Sequence, residues 1–284
     1  MNIALFLNND FEASVAYNLL KEELSNHTLQ IFYSSTVGNP ANKPSDLKKL
    51  EYYERDFFYG ELNRFIKEHQ LNCSFEFFDE NFKSFSIHPC NDVNSRVFLD
   101  KIKAFDPHLF LSIRFGKIFK EEIIQIPKYG LINLHSALLP DYRGILGTLH
   151  ALKDGKKIFG CTLHTIPTSG IDTGEIIDRV ELDVHPEKSL FWHLSRLYPL
   201  GAKMLIKAVK TIENKETLKT IPQNLNEGNY FSIPTEKDFK ELKQSGYNTI
   251  SIIDYLDVLA EYVLPELTEN QKNELRWFVT SSKR

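Results

Sequence analysis

Met1-Asn2-Ile3-Ala4-Leu5-Phe6-Leu7 is apolar almost without interruption, and a strand built from it has no face to give to water. Such a run suits a parallel sheet covered on both sides, because alternation appears only where one face is solvated. Asn8-Asn9-Asp10 breaks the run. From Phe11 to Leu24 the residues Val15, Leu19, Leu20 and Leu24 fall on one side of a helix, with Lys21 to Glu23 solvated. The same alternation continues outward. Leu29 to Ser34 reads as a second strand, and Val37 to Leu50, with Gly38, Pro40 and Pro44, as a loop leading into a helix near Asp46 to Ile66. Cys73 to Phe78 is predicted as a third short strand. Asn81 to Asp92 has no assignable periodicity, and Ser95 to Ala104 reads as a helix. Leu109 to Ile113 is the next apolar run, and Lys120 to Ile126 a short helix stopped by Pro127. Gly130 to His135 is a further strand, and Gly160 to Thr165 and Ile176 to Leu182 complete the set. Strands alternating with helices predict an α/β fold with a mainly parallel sheet, to which the later, closely spaced strands add an antiparallel portion.

Beyond about residue 188 the strand signal fades. Ser189 to Asn214 is a long helix with Leu190, Leu194, Leu197, Leu205, Ala208 and Ile212 at apolar spacing. A polar stretch with Pro222, Asn224, Asn226 and Gly228 follows, then helices over Glu236 to Gln244 and Thr249 to Tyr262. We therefore expect a main domain over residues 1–212 and a small, mainly helical C-terminal region over 213–284. Ile250, Ile253, Leu256, Leu259 and Val263 give that region an apolar face, suited to docking on the core or to forming a homodimer.

The chain has 284 residues, 42% hydrophobic and 25% charged, as in ordinary globular proteins. Lys and Arg number 34 against 38 Asp and Glu, a formal charge of -4, so no global positive charge favours nucleic acid or an anionic membrane. The 3 cysteines, Cys73, Cys90 and Cys161, show no CxxC spacing, so neither a disulfide framework nor a cysteine zinc site is expected, and a reducing cytoplasm fits. No apolar stretch approaches the roughly 18 residues needed to span a bilayer, and no basic n-region precedes the first strand.

Polar chemistry concentrates between Ser112 and Gly174. Asn133-x-His135 ends an apolar strand, with both side chains on one side and Leu134 opposite. The carboxyl ends of strands in an open α/β sheet are where ligands sit. The turn-rich loop Ser136 to Gly144 follows, and Ser169 to Gly174 offers the carboxylate of Asp172. An amide, an imidazole and a carboxylate together can run acyl transfer to an amine without a covalent enzyme intermediate. Asn133 could donate to the oxyanion, His135 donate or shuttle a proton, and Asp172 orient the imidazole or accept the proton itself. Taken singly, Asn-x-His is a structural hydrogen-bonding pair and Asp172 a turn residue.

Taken together, these segments resemble the N10-formyltetrahydrofolate-dependent formyltransferase family, most closely its sugar N-formyltransferases. The resemblance rests on Ser112-Ile113-Arg114-Phe115-Gly116, on Asn133-Leu134-His135-Ser136-Ala137-Leu138-Leu139-Pro140-Asp141-Tyr142-Arg143-Gly144, on Gly160-Cys161-Thr162-Leu163-His164, and on Ile171-Asp172-Thr173-Gly174. It implies a Rossmann-like sheet, N10-formyltetrahydrofolate as co-substrate, no metal, and Asn133, His135 and Asp172 as the catalytic trio. It further implies a folate pocket formed by Ile113, Arg114, Phe115, Gly116 and Ile118 together with Thr168 and Thr173. Arg143 is expected to support the active-site loop, and His164 to have a structural or acceptor-lining role. His150 departs from the apolar residue of many relatives, so packing on the acceptor side is expected to differ.

The resemblance leaves the acceptor open. The tRNA enzymes of the family append a β-barrel and use a basic surface, whereas this tail reads helical and its charge is near balance. Asn8-Asn9-Asp10-Phe11 offers no Gly/Ser-rich phosphate turn of the kind the glycinamide ribonucleotide enzymes carry, nor a G-x-G-x-x-G for a dinucleotide. The expectation is a nucleotide-linked amino-deoxysugar, of the sort used for lipopolysaccharide O-antigen, as substrate and partner. The alternatives are methionyl-tRNA, formyltetrahydrofolate hydrolysis, or a non-catalytic binding module. Gly228 to Thr235 is read as a turn packing the tail on the core, with Tyr230 as a ring that could stack on a base.

Overall fold

The computed structural model describes residues 1–35, 43–78 and 87–281. Its main sheet uses β1 (Asn2–Asn8), β2 (Thr28–Ser34), β3 (Ile87–Pro89), β4 (Leu109–Ile113), β5 (Leu131–His135), β7 (Ile158–Thr165) and β8 (Ile176–Asp183). A second, two-stranded sheet joins β6 (Tyr142–Gly144) to β9 (Asn229–Phe231). The helices are α1 (Phe11–Leu20), α2 (Ser45–Glu51), α3 (Asn63–Glu68), α4 (Arg96–Phe105), α5 (Glu121–Ile124), α6 (Gly147–Lys153), α7 (Leu190–Glu213), α8 (Glu236–Gln244), α9 (Ile252–Tyr262) and α10 (Glu269–Ser281), with a π-helical segment over Tyr52–Leu62 joining α2 to α3.

The main sheet runs β3-β2-β1-β4-β5-β7-β8. The strands from β3 through β5 are parallel, and β7 and β8 are antiparallel additions, as the strand spacing predicts. The chain leaves β1 toward β2 and β3, then returns to lay β4 on the other side of β1. The crevice at the carboxyl ends of β1 and β4 is therefore the topological switch point, where open α/β sheets bind ligands.

The uninterrupted apolar character of β1 is used on both faces. Ile3, Leu5 and Leu7 point into a core shared with α1 and α7, while Ala4 and Phe6 point into a core shared with α4 and α5. Phe6 lies at the centre of the second core, within 5.4 Å of the ring centroids of Phe32, Phe110, Phe115 and Phe119. A third core joins the N-terminal helices to the C-terminal ones: Phe57, Phe58, Leu149, Phe191, Phe239, Tyr255, Leu259 and Val279 are buried together. The Tyr255 hydroxyl donates to the Tyr53 carbonyl at 3.0 Å, and Lys243 pairs with Asp46 at 2.6 Å. The helices of the C-terminal region thus dock on the first helices of the chain.

Several elements differ from their sequence reading. Cys73–Phe78 belongs to no sheet. Phe75 and Phe77 are buried, which is the alternation a strand would show, yet the backbone of Glu76 is held by a side chain. Asn18 donates to the Glu76 carbonyl at 2.9 Å and accepts from its N–H at 2.8 Å. The first helix stops at Leu20, short of Leu24, although Leu24 is still buried. On α9, Ile253 is 61% exposed and Tyr255 takes its place inward. The helices α6 and α10 and the strands β3, β6 and β9 are additions to the predicted set. The start of the predicted Val37 loop, through residue 42, and residues 79–86 of the unassigned stretch lie outside the described residues.

Candidate active site

A cavity of about 390 Å3 opens at the switch point, lined by Asn133 and His135 at the end of β5, by the turn after β1, by the loop after β4, and by Thr168 to Asp172. Antiparallel pairing of β5 with β7 sets Asn133 opposite His164 and His135 opposite Thr162. Residues directly opposite in such a pair present their side chains to one another. Asn133 Nδ2 accordingly lies 3.0 Å from His164 Nε2. Leu134 points the other way and packs on Gly201 of α7.

Asp172 ties both histidines together. Its Oδ2 is 3.5 Å from His135 Nδ1, its Oδ1 is 3.3 Å from His164 Nε2, and Oδ2 accepts the Gly144 backbone N–H at 2.8 Å. Burial would raise its pKa, but the two histidines and the Gly144 N–H outweigh burial and hold the carboxyl down at about 2. Asp172 is therefore ionised at neutral pH. The second ring nitrogens are held by carbonyls: His135 Nε2 lies 2.7 Å from the Tyr142 oxygen, and His164 Nδ1 lies 2.8 Å from the Thr165 oxygen. Asn133, His135, Asp172 and His164 form one network, with the second Nδ2 hydrogen of Asn133 left over for the cavity.

The loops that complete the network are held by close backbone approaches. Gly144 has φ +98, and a Cβ there would lie 2.0 Å from the Phe231 carbonyl, so β9 can pair with β6 only at glycine. A Cβ on Gly174 would lie 1.8 Å from the Thr165 carbonyl, which fixes the return of the Asp172 loop against β7. Asp172, Arg114 and Leu146 line the cavity in the left-handed region, with φ of 53, 58 and 53. Non-glycine residues there store strain of order 1 kcal/mol each, a feature that clusters at functional sites.

Of the residues assigned to folate, Phe115, Gly116, Ile118 and Thr168 line the cavity. Ile113 is fully buried in the core beneath it, and the Thr173 hydroxyl turns back to donate to the Gly170 carbonyl at 3.2 Å. Arg114 reaches the cavity, but its guanidinium is spent below. It donates to Asp10 at 2.7 Å, to Glu54 at 3.1 Å and to the Tyr198 hydroxyl at 3.1 Å, with Glu12 at 3.7 Å. The sequence reading missed this buried cluster, because its members come from four separate elements. Burial, only partly offset by Arg114, raises Glu12 to about 7. Burial and the neighbouring Glu12 hold Glu54 well above the usual carboxylate range.

Three further residues outside the trio were noted in the sequence for other reasons. Tyr230, on β9, is 53% exposed, lines the cavity, and has its ring edge 3.0 Å from where a Gly144 Cβ would lie. The segment is thus both a strand that packs the tail on the core and part of the cavity wall. His150 is buried on α6, stacked on Phe231 with ring centroids 3.9 Å apart. Arg143 lies opposite Tyr230 in the β6–β9 pair.

Comparisons with known proteins fit this geometry. The formyl transferase family model matches residues 75–209, which include Asn133, His135, His164 and Asp172. A methionyl-tRNA formyltransferase from Caldicellulosiruptor saccharolyticus is 38% identical over 41% of this chain and 37% of its own length. The chain spans 37%, 36% and 49% of the lengths of three such relatives. A sugar N-formyltransferase from Shewanella sp. FDAARGOS_354 shares the fold over 91% of this chain and 88% of its own, with TM-score 0.55 and 20% identity. An N-formyltransferase from Helicobacter canadensis, solved with folinic acid and dTDP-3-aminofucose, does so over 88% and 81%, with TM-score 0.53 and 19% identity. Residues 75–209, just under half of the chain, thus match the formyl transferase family.

Proposed function

We propose that this protein transfers the formyl group of N10-formyltetrahydrofolate to the amine of a nucleotide-linked amino-deoxysugar, by direct attack of the free amine. The observation that carries the reading is the Asn133–His135–Asp172–His164 network, which lies within the segment matching the formyl transferase family and opens on a cavity that this segment lines in part. The cavity's size suits a small-molecule site. Phe115, Ile118 and Ile166 give it apolar walls for a flat ring, and Gly116 gives close backbone approach, so these residues suit a folate.

The folate would supply the electrophilic formyl carbon: the amine nitrogen bonds to it, the bond from that carbon to N10 breaks, and the proton the amine loses is returned to N10 of the leaving tetrahydrofolate. Asn133, one Nδ2 hydrogen held by His164, aims the other at the charge that develops on the formyl oxygen. His135 has both ring nitrogens facing acceptors, the Tyr142 carbonyl and the Asp172 carboxylate, so its ring is held in one orientation at the cavity wall. Asp172, held at about 2, is a poor proton acceptor at neutral pH, so it orients the two histidines rather than serving as the base. Holding donor and acceptor side by side supplies the remainder of the rate gain.

The sugar acceptor is supported by the helical tail docked on the core and by a fold shared along 91% of the chain with a sugar enzyme. A methionyl-tRNA acceptor is the second reading, favoured by the sequence relatives. The test is an assay with N10-formyltetrahydrofolate and a panel of nucleotide-linked 3-amino and 4-amino deoxysugars, with formylatable methionyl-tRNA as the competing substrate. Tetrahydrofolate release and product mass would be read together. One added formyl group on a sugar supports the proposal; formylated tRNA alone overturns the acceptor; folate turnover without product points to hydrolysis. Asp172→Asn should lower turnover by roughly 10²-fold or more while folate affinity holds. Near-normal turnover in that variant would remove Asp172 from the mechanism.

A further inference from the structure

Along residues 221–230 of the tail, Gln223 alone is not exposed. It is not among the residues that line the cavity; its side chain reaches the backbone of the Asp172 loop instead. Gln223 Nε2 donates to the Asp172 carbonyl at 3.1 Å and also to the Gly174 carbonyl. Two carbonyls facing one amide require its nitrogen, so the orientation of the side chain is fixed. That orientation leaves Oε1 buried with no partner among the described residues. A buried acceptor is rarely left unpaired, so the amide is oriented by the loop it holds.

These bonds are not needed to fasten the tail. Ile221 and Ile176 already exchange two backbone hydrogen bonds, at 2.8 Å and 2.9 Å, and the Thr220 hydroxyl donates to the Glu175 carboxylate. What the Gln223 amide adds falls on Asp172. With φ 53 its backbone is in the left-handed region, which a non-glycine residue keeps only where its surroundings enforce it. The carboxylate is held from β6 by the Gly144 N–H, but the peptide that carries it is held by Gln223. Release of the Asp172 carbonyl would let that backbone relax and draw the carboxylate off His135 and His164, which it meets at 3.5 Å and 3.3 Å. We propose that Gln223 is a positioning residue: by holding the Asp172 and Gly174 carbonyls it fixes the left-handed turn that aims the Asp172 carboxylate at both histidines. Gln223 lies beyond residues 75–209, so the tail supplies part of the geometry of the network. The inference rests on the formyl-transfer reading and not on the choice of acceptor.

The test uses the full chain with N10-formyltetrahydrofolate and the amine, panel sugar or methionyl-tRNA, that the unmodified protein formylates. Gln223→Met keeps the length of the side chain and removes both donors. It should lower kcat by about tenfold or more through misplacement of Asp172, with both KM values within about twofold and the melting temperature unchanged. Gln223→Glu supplies the rescue. Burial and the two carbonyls favour its neutral acid, which donates to one of them as pH falls, whereas the carboxylate at pH 8 donates to neither. The kcat of Gln223→Glu relative to the unmodified protein should therefore rise by about threefold or more from pH 8 to pH 6, the return of one hydrogen bond, while the ratio for Gln223→Met stays flat. Imidazole nitrogen NMR shifts of His135 and His164, read without substrate, should move in Gln223→Met. An unchanged kcat in Gln223→Met, a loss shared with melting temperature and folate KM, or a flat ratio in Gln223→Glu overturns the assignment and leaves formyl transfer intact. If the unmodified protein formylates none of these amines, the reaction reading falls; the imidazole shifts then decide the placement of Asp172, which moved shifts sustain and unmoved shifts overturn.

Discussion

The two walls of the cavity are built differently. Asn133 and His164 are brought together by backbone register, each fixed by the β5–β7 ladder, and Asp172 closes on them from a loop returning along β7. The opposite wall draws Asn9 from the β1 turn, Glu54 from a π-helical segment and Tyr230 from the tail. The first wall falls inside the segment shared with the family, residues 75–209, and the second falls outside it. Under the proposed function the difference separates chemistry from selection: a sheet would hold the reacting groups to a fixed geometry, while loops and appended helices can change what is bound without disturbing them.

This division can be broken most directly at Asn133. Asn133→Ala should cost about 3–4 kcal/mol in turnover, the loss of one oxyanion donor, with little change in acceptor KM. A variant that raises KM and spares kcat would place Asn133 on the binding side of the division.

A second test reaches the other wall through its support. Burial, together with Lys153, pushes His150 down to about 4 from an ordinary value of 6.5. Below about pH 6.5 the unfolded chain takes up a proton here that the folded chain refuses. The contribution is therefore complete above 6.5 and is lost as pH falls toward 4. At about pH 4 the penalty reaches about 3 kcal/mol. His150→Phe, which keeps the stack on Phe231, should remove that much of the stability difference between pH 8 and pH 4 in denaturant titrations. An unchanged difference would show that His150 does not couple the β9 support to pH.

The smallest expected effect is at Tyr230. Tyr230→Ala should raise the acceptor KM by roughly five- to tenfold, as the loss of one stacking surface, and leave kcat within about twofold. Loss of kcat instead would show that the two walls are not separable at this residue.

Legibility in the sequence follows the same line. β1, β4 and β5 were readable because strands covered on both faces must be apolar throughout. Asn133, His135 and Asp172 were readable because their spacing forms a motif. His164 was noted as a strand residue, but its place in the network depends on cross-strand register, which no local pattern encodes. β6 and β9 are three residues each and pair across the length of α7, so neither had a periodicity to find. Cys73–Phe78 showed true alternation, yet the side chain of Asn18 stands where a neighbouring strand was expected. The Arg114 cluster joins elements that become neighbours only once the sheet has formed.

The pairing of β9 with β6 has a consequence for the order in which the protein matures. The Gly144 N–H that holds Asp172 belongs to a strand whose partner, Asn229–Phe231, is made after the whole of α7. A nascent chain folding from its N-terminus can complete the sheet and bury the two cores that flank it before that partner exists. The carboxylate then receives its fixed donor late, when the tail threads back beside the loop. Synthesis thereby defers the organised network until the opposite wall of the cavity is also present.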